Sequence, residues 1–317
     1  MNIVFLDGYT LQASSETMQK LEAFGQLTTY DRTDASQIIE RSILADILIV
    51  NKTPLSAETI AQLPQLKLIC VAATGYDKVD TTYAREQGIP VCNCAGYSSR
   101  AVAQMALSLL LEATDHVGFY TEENRRGVWS QCDDFCYMSR PRFDLENKRM
   151  SIVGFGSIGQ TLANIMQPLG LQLFAVTSKD EAALPSYIRK IGLKEAFATS
   201  DIVSLNCPLT PQNKAFVNSQ LLKNAKRGLI LINTARGGLI NENDVAEALN
   251  NGTLGAYCTD VMTQEPPSSS NPLFHAPNAY ITPHIGWKTP QTVDRIVSLL
   301  AQNIEDFIQG KPTSVVN

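Results

Sequence analysis

Short apolar runs, each about as long as a strand, alternate along the chain with segments whose apolar positions recur at helical spacing. The first series of runs is Asn2–Leu6, Asp46–Val50, Lys67–Val71 and Pro90–Cys92. A second series begins at Arg149 and runs through Ser151–Val153, Leu171–Val176, Asp201–Asn206, Gly228–Asn233, Gly255–Thr259 and Ala279–Ile281. Strands alternating with helices are the signature of a parallel sheet, so the pattern predicts an α/β protein with two doubly wound, Rossmann-like sheets. A long helix near Ala101–Ala113 is expected to carry the chain from the first sheet to the second. After Pro290, the spacing of Val293, Ile296, Leu299, Leu300, Ile304 and Phe307 predicts an amphipathic closing helix. A return of that helix to the first domain makes the first domain discontinuous, 1–98 with 291–317, around a second domain of 99–290.

Composition narrows the function classes. A chain of 317 residues suits two domains rather than one, and 44% hydrophobic with 18% charged residues is the balance of a folded globular protein. A formal net charge of -5 gives no electrostatic footprint for nucleic acid or an anionic membrane, so a small anionic ligand needs local cations. The opening MNIVFLDGY lacks a basic n-region and an apolar h-region and reads as a strand, which makes the cytoplasm the expected location. The stretch Val102–Ala113 is shorter than the roughly 18–20 residues of a membrane span, and it reads as a buried helix. Seven cysteines in a reducing compartment speak against a disulfide framework. Cys92 with Cys94, and Cys132 with Cys136, have no histidine nearby to complete a zinc shell, so no metal is expected.

Gly154, Gly156 and Gly159 follow one apolar strand and precede a helical pattern over Gln160–Gln167. In that context the first glycine permits a tight turn, the second lets a pyrophosphate approach the backbone, and the third lets helix and strand pack closely. The helix N-terminus, at Ser157 and Ile158, then offers unpaired N–H groups and a positive dipole end to the phosphates. At the end of the next strand, where an acid ordinarily holds the adenosine ribose, stand Thr177, Ser178 and Lys179. Hydroxyls and a lysine can accept a 2′-phosphate that a carboxylate would repel, which favours NADP over NAD. The plainer alternative makes Lys179 a solvated loop residue and lets Asp180 reach the ribose.

Other polar groups follow predicted strand ends, where open α/β sheets bind ligands. They are Cys207 and Pro208, then Thr234, Ala235 and Arg236, then Asp260, and finally His284 and Gly286; Asn51, Lys52, Thr74 and Gly75 hold the equivalent position in the first domain. Hydride transfer to a 2-keto acid needs a cation for the carboxylate and carbonyl oxygen and a proton donor for the developing alkoxide. Arg236 supplies a permanently charged fork, His284 a proton near neutral pH, and Glu265 a carboxylate to orient the imidazole. Taken singly, each has a bland alternative: a surface ion pair, a satisfied core histidine, a loop charge. Of the three histidines, His116 and His275 read as structural or solvated.

Together these landmarks resemble the D-isomer-specific 2-hydroxyacid dehydrogenases over essentially the whole chain. The matching stretches are Gly154–Gly159, Asn233–Gly238, Asp260 with Glu265 and Pro266, and Pro283–Gly286. The resemblance is strongest to the glycerate dehydrogenase, or hydroxypyruvate reductase, branch through Asn51–Pro54, Ala73–Asp77 and His284–Trp287. It implies a hydride transfer between NAD(P)H and a small 2-keto acid such as hydroxypyruvate or glyoxylate, giving D-glycerate or glycolate. It also implies that Arg236 binds substrate and polarises its carbonyl, that His284 is the acid/base tuned by Glu265, and that N–H groups around Thr74 and Gly75 hold the carboxylate. Asp260 would contact the nicotinamide amide, the first domain would be the substrate domain and the second the dinucleotide domain, and the enzyme would be a homodimer. Thr177 in place of the ribose acid and the charge of Arg100 near the domain junction depart from the family pattern. Oxidation of D-lactate or another D-2-hydroxy acid remains open, as does a dinucleotide-sensing binding protein that reuses the fold without turnover.

Overall fold

A computed structural model describes the whole chain, Met1–Asn317. The chain divides into two compact units, Met1–Ser98 with Lys288–Asn317, and Ser99–Trp287.

The first unit is a five-stranded parallel sheet in the order β2-β1-β3-β4-β5, with β1 Asn2–Phe5, β2 Gln26–Thr29, β3 Ile47–Val50, β4 Leu68–Val71 and β5 Val91–Asn93. Every residue of β3 and β4 is buried, because crossover helices cover both faces of the central strands. Those helices are α1 Ser15–Glu22, α2 Ile38–Ser42, α3 Ala57–Ala61 and α4 Thr81–Glu86. The strand β2 carries Gln26, Leu27, Thr28 and Thr29, none of them buried, at the sheet edge. It lacks the continuous apolar run of a central strand, and the hydropathy pattern passes over it.

Two loops at the C-terminal edge of this sheet are fixed by side chains. The buried Asp7 carboxylate accepts hydrogen bonds from the backbone N–H groups of Asn51 at 2.9 Å, Lys52 at 2.5 Å and Thr53 at 2.8 Å. Beside it, Asn93 Nδ2 donates to the Thr74 carbonyl at 2.8 Å and Thr74 Oγ1 to the Cys94 carbonyl at 3.2 Å. The N–H groups of Thr74 and Gly75 donate no hydrogen bond within the unit.

The second unit is a seven-stranded parallel sheet in the order β12-β11-β10-β9-β6-β7-β8. Its strands are β6 Arg149–Val153, β7 Gln172–Val176, β8 Ile188–Lys190, β9 Ile202–Leu205, β10 Leu229–Asn233, β11 Leu254–Thr259 and β12 Ala279–Ile281. Neighbouring residues along a strand feed opposite cores. Ile152 and Ile230 pack with helices α5 Ser99–Asp115 and α7 Ser157–Met166, while Val153 and Leu231 pack with α8 Leu193–Thr199 and α10 Glu242–Asn250. Two further helices complete the unit, α6 Val117–Arg125 and α9 Ser219–Leu222. The edge strand β8 buries only Ile188 of its Ile-Arg-Lys sequence, so it too leaves no readable hydropathy signal.

The closing helix α11, Pro290–Ile308, groups with the first unit. Thr289 caps it, and Lys288 Nζ donates to Gln12 Oε1 at 2.8 Å, which puts the join slightly before the expected 291. On α11 the fully buried Ile296, Leu300 and Ile304 face the core, and Lys20 of α1 pairs with Asp294 at 2.6 Å. All seven cysteines are free thiols, and no helix is long and apolar enough to cross a membrane.

The Asp7 anchor sets a stability prediction. Replacing Asp7 by Ala leaves the Asn51, Lys52 and Thr53 N–H groups without their acceptor and should lower the unfolding free energy by roughly 2–4 kcal/mol. Asp7→Asn, which keeps one acceptor oxygen, should lose less. Urea unfolding measures both, and an unchanged midpoint for the Ala variant would refute the anchoring role.

Candidate active site

Because the seven strands run parallel, all their C-terminal ends lie on one edge of the sheet. The loops there bring together Gly154–Gly156 after β6, Thr177–Lys179 after β7, Cys207–Pro208 after β9, Thr234–Arg236 after β10, Asp260–Glu265 after β11 and Thr282–Gly286 after β12. Thr74 and Gly75 hold the corresponding place in the first unit, after β4.

A cavity of about 950 Å³ lies at the β6–β7–β9 end of this edge and is lined in part by Gly154, Gly156, Thr177, Ser178, Lys179, Asn206, Cys207 and Pro208. Gly154 has φ +93°, and a Cβ there would stand 2.6 Å from the Cys207 nitrogen. At Gly159 a Cβ would meet the Gly154 carbonyl oxygen at 2.3 Å, so helix and turn can pack this closely only without one. Gly156 differs, because a Cβ there meets nothing within 4 Å of protein. The space it leaves is open, and the residue is also the N-cap of α7, with no side chain to accept the first-turn N–H groups of Ser157, Ile158 and Gly159. An uncapped helix end facing room for a ligand is an anion site of the kind a pyrophosphate fills. Asn206 Oδ1 and Thr234 Oγ1 are buried without hydrogen-bond partners, which further fits a polar ligand along this edge. Cys207 is half-buried, and burial pushes its thiol up, so it presents a neutral group to the cavity.

Arg236 is exposed on a loop that Asn233 shapes. The Asn233 side chain accepts from the Ala235 N–H at 3.1 Å and donates to the Arg236 carbonyl at 3.0 Å. One guanidinium N–H of Arg236 goes to the Ala235 carbonyl at 2.8 Å, leaving the rest of the fork for a ligand. The next residue, Gly237, packs so tightly on the following loop that a Cβ would lie 2.0 Å from the Met262 carbonyl carbon. That contact couples the arginine loop to the segment carrying Glu265.

His284 Nδ1 and Glu265 Oε2 are 2.7 Å apart, while Glu265 Oε1 accepts from the Met262 N–H at 3.0 Å. Both side chains are about a third exposed, at 30% and 38%, so the imidazole is oriented yet reachable from solvent. The backbone at His284 is left-handed, φ +55°. The buried Asp260 holds the loop in that shape. Its Oδ1 accepts from Thr282 Oγ1 at 2.6 Å and from the Ile285 N–H at 2.9 Å, and its Oδ2 from the Gly286 N–H at 2.7 Å. The family resemblance directs attention to a nicotinamide contact at Asp260; the structure adds this anchoring of the histidine loop.

The model of the D-isomer specific 2-hydroxyacid dehydrogenase NAD-binding domain matches residues 107–286. Over its whole length the chain is 39% identical to hydroxypyruvate reductase of Blautia hydrogenotrophica, with 100% of both sequences covered. It is 36% identical to glycerate dehydrogenase of Methylorubrum extorquens over 99% of this chain and 98% of that one. The chain belongs to the D-isomer-specific 2-hydroxyacid dehydrogenases. Its fold matches that of an acyclic imino acid reductase solved with NADPH and D-Arg, at TM-score 0.90 and 26% identity over 100% of each chain. A protein structure from Thermus thermophilus matches equally, at TM-score 0.90 and 29% identity over 100% of each chain. As a member of this family the dehydrogenase is an oxidoreductase that uses a nicotinamide dinucleotide and acts on small 2-hydroxy acids.

The other histidines stand apart from this constellation. His116 is buried just after α5, its Nδ1 3.1 Å from the Tyr280 hydroxyl, and His275 is exposed beyond a short turn. Arg100 is exposed in the first turn of α5, and nothing in the structure explains its charge. Sequence reasoning missed Asn206, Asn233 and the loop-holding contacts of Asp260. The two asparagines end or follow apolar strands and were legible by the strand-end rule that found their neighbours. It also missed Glu181, Lys190 and Glu195 on the cavity wall, of which Lys190 lies on the unforeseen β8.

The His284–Glu265 contact generates a prediction. Glu265→Gln keeps the length of the side chain but replaces the carboxylate that faces His284 Nδ1 at 2.7 Å. If the pair takes part in the reaction, kcat should fall by about tenfold or more with coenzyme binding unchanged. An unchanged kcat in the folded variant, with chemistry limiting the rate, would disconnect Glu265 from the reaction.

Proposed function

We propose that the dehydrogenase reduces hydroxypyruvate or glyoxylate to D-glycerate or glycolate, and catalyses the reverse oxidations. The observation that carries this reading is the Glu265-oriented imidazole of His284 on the same sheet edge as Arg236 and the glycine-turn cavity. The names of its full-length relatives, hydroxypyruvate reductase and glycerate dehydrogenase, support the substrate class.

In this reading a bound nicotinamide would supply hydride for the keto carbon in reduction and accept it in oxidation. Arg236 binds the substrate carboxylate and polarises the keto oxygen through its planar fork. As hydride reaches the carbon, His284 delivers its proton to the oxygen, so the alcohol forms without a free alkoxide. Glu265 holds the ring in place for that transfer through its 2.7 Å contact with Nδ1. Ser157, Ile158 and Gly159 would hold the pyrophosphate, Thr177, Ser178 and Lys179 the adenosine ribose, and Thr234, Ala235, Asp260 and Gly286 the nicotinamide end. The hydroxyls and lysine at the ribose position support NADP as the preferred coenzyme. The first unit serves as the substrate domain and the second as the dinucleotide domain.

The enzyme works as a homodimer in the cytoplasm. Support for the dimer comes from the segment around α6, which exposes large apolar side chains: Val117 at 62%, Trp129 at 53%, Phe135 at 88% and Met138 at 71%. Exposed apolar side chains on one segment that is tied to itself, by Arg140 stacked on Phe119 and Trp129 Nε1 donating to the Phe135 carbonyl, fit burial against a second copy. Phe135→Glu with Met138→Glu should convert a dimer to monomer in sedimentation or light scattering; a mass unchanged by the two charges would exclude this face.

A panel of 2-keto acids assayed with NADH and NADPH by nicotinamide absorbance tests the activity, and hydroxypyruvate or glyoxylate should give the highest kcat/KM. Turnover confined to larger 2-keto acids, or coenzyme binding without turnover, would overturn the substrate assignment. Arg236→Lys keeps the charge but not the fork and should lower kcat/KM by about tenfold or more, equivalent to about 1.4 kcal/mol of transition-state stabilisation. Near-parental kinetics in the folded Lys variant would remove the role given to Arg236.

A further inference from the structure

We propose that Lys190, on the edge strand β8, is the cation that recognises a 2′-phosphate on the adenosine ribose of the coenzyme. The proposal rests on the dinucleotide reading of the cavity and names the group within it that separates NADPH from NADH.

In a doubly wound dinucleotide site, the adenosine ribose meets the residues just beyond the second strand of the unit, here β7. That loop is built around hydroxyls and lysines. The Lys179 N–H donates to Thr177 Oγ1 at 3.2 Å, which turns the chain directly after the strand. Asp180 stands at the N-cap position of a short turn over Glu181–Ala183, with no capping hydrogen bond from its side chain, and is not on the cavity wall. The residues directly after β7 on that wall, Thr177, Ser178 and Lys179, carry no carboxylate.

Lys190 reaches this loop from the neighbouring strand. It ends β8 in parallel register with Ala175 of β7, so its side chain starts beside the last residues of that strand. Its ammonium donates to the Lys179 carbonyl at 2.6 Å, which ties β8 to the loop and leaves two N–H donors for a ligand. Lys190, Thr177, Ser178 and Lys179 all line the cavity that opens onto Gly156 and the N-terminus of α7. The acids on that wall are Glu181 and Glu195. Glu181 Oε1 accepts from the Lys190 backbone N–H at 3.2 Å, which sets its carboxylate on the main chain of β8, and Glu195 stands in the first turn of α8, a separate element.

The chemistry of a tethered ammonium suits a phosphate better than a sugar hydroxyl. Lysine is a compact point charge with donors and no acceptor, and its attraction for a dianion far exceeds that for a neutral hydroxyl. With the hydroxyls of Thr177 and Ser178 beside it, the loop offers donors and positive charge where the extra phosphate of NADPH would lie. A ribose 2′-hydroxyl gains little from the same groups.

Equilibrium titration of the full-length enzyme, by tryptophan quenching or calorimetry, tests this with NADPH, NADH, 2′,5′-ADP and 5′-AMP as probes. The parent enzyme should bind NADPH more tightly than NADH and 2′,5′-ADP more tightly than 5′-AMP. Lys190→Met, which keeps the apolar stem, should weaken NADPH and 2′,5′-ADP by about tenfold or more, the size of a lost charge-assisted hydrogen bond. NADH and 5′-AMP should change by less than about twofold, because neither carries the 2′-phosphate. A role confined to holding the loop would weaken all four probes together, and that result would overturn the proposal. A silent Lys190→Met variant in an enzyme that binds NADH overturns it too and leaves the dehydrogenase reading standing. Failure of the parent enzyme to bind any of the four would instead remove the dinucleotide reading itself.

Discussion

The common direction of the strands in the second unit is the constraint on which the rest of the site depends. Each parallel strand must be followed by a crossover to the far end of the sheet, so every strand contributes a loop to one edge. The order β12-β11-β10-β9-β6-β7-β8 places β6 where the winding reverses, and the glycine turn follows that strand. The chain diverges to either side of it, toward the loops with Thr177 and Lys179 in one direction and those with Arg236 and His284 in the other. The proposed coenzyme contacts and reacting groups thus share a single rim without being near one another in sequence.

Two carboxylates divide the work around His284. The Glu265 carboxylate touches the ring itself, whereas that of Asp260 touches the loop that presents it. The left-handed backbone at His284 is uncommon for a residue with a side chain, and the Asp260 contacts on both sides of it hold that shape in place. The close approach of Gly237 to Met262 then ties the arginine loop to the same assembly, so the groups proposed to bind substrate and to move its proton share one packed support.

The architecture was legible wherever burial on both faces wrote a continuous apolar run, as in β3, β4, β9 and β10. It was illegible at the sheet edges. Gln26–Thr29 and Ile188–Lys190 are strands because a neighbouring backbone offers them hydrogen bonds, and nothing in their own residue pattern announces it. The candidate triad could be picked out from residue types at strand ends, since Arg236, Glu265 and His284 match the charges the chemistry requires. Their supports could not. Whether Asp260 grips Thr282, Ile285 and Gly286 depends on how β11 and β12 align, which is a property of the folded sheet. Lys190 was hidden for the same reason, standing on a strand that the pattern does not reveal.

The bare cap of α7 has a consequence for the protein as a whole. A serine or aspartate at that position would satisfy the first-turn amides within the protein, but Gly156 leaves them to solvent. An anion bound there stabilises the folded chain over the unfolded one by mass action, in proportion to the logarithm of its concentration relative to Kd. Resistance to heat and to proteases is thereby linked to how much coenzyme surrounds the enzyme.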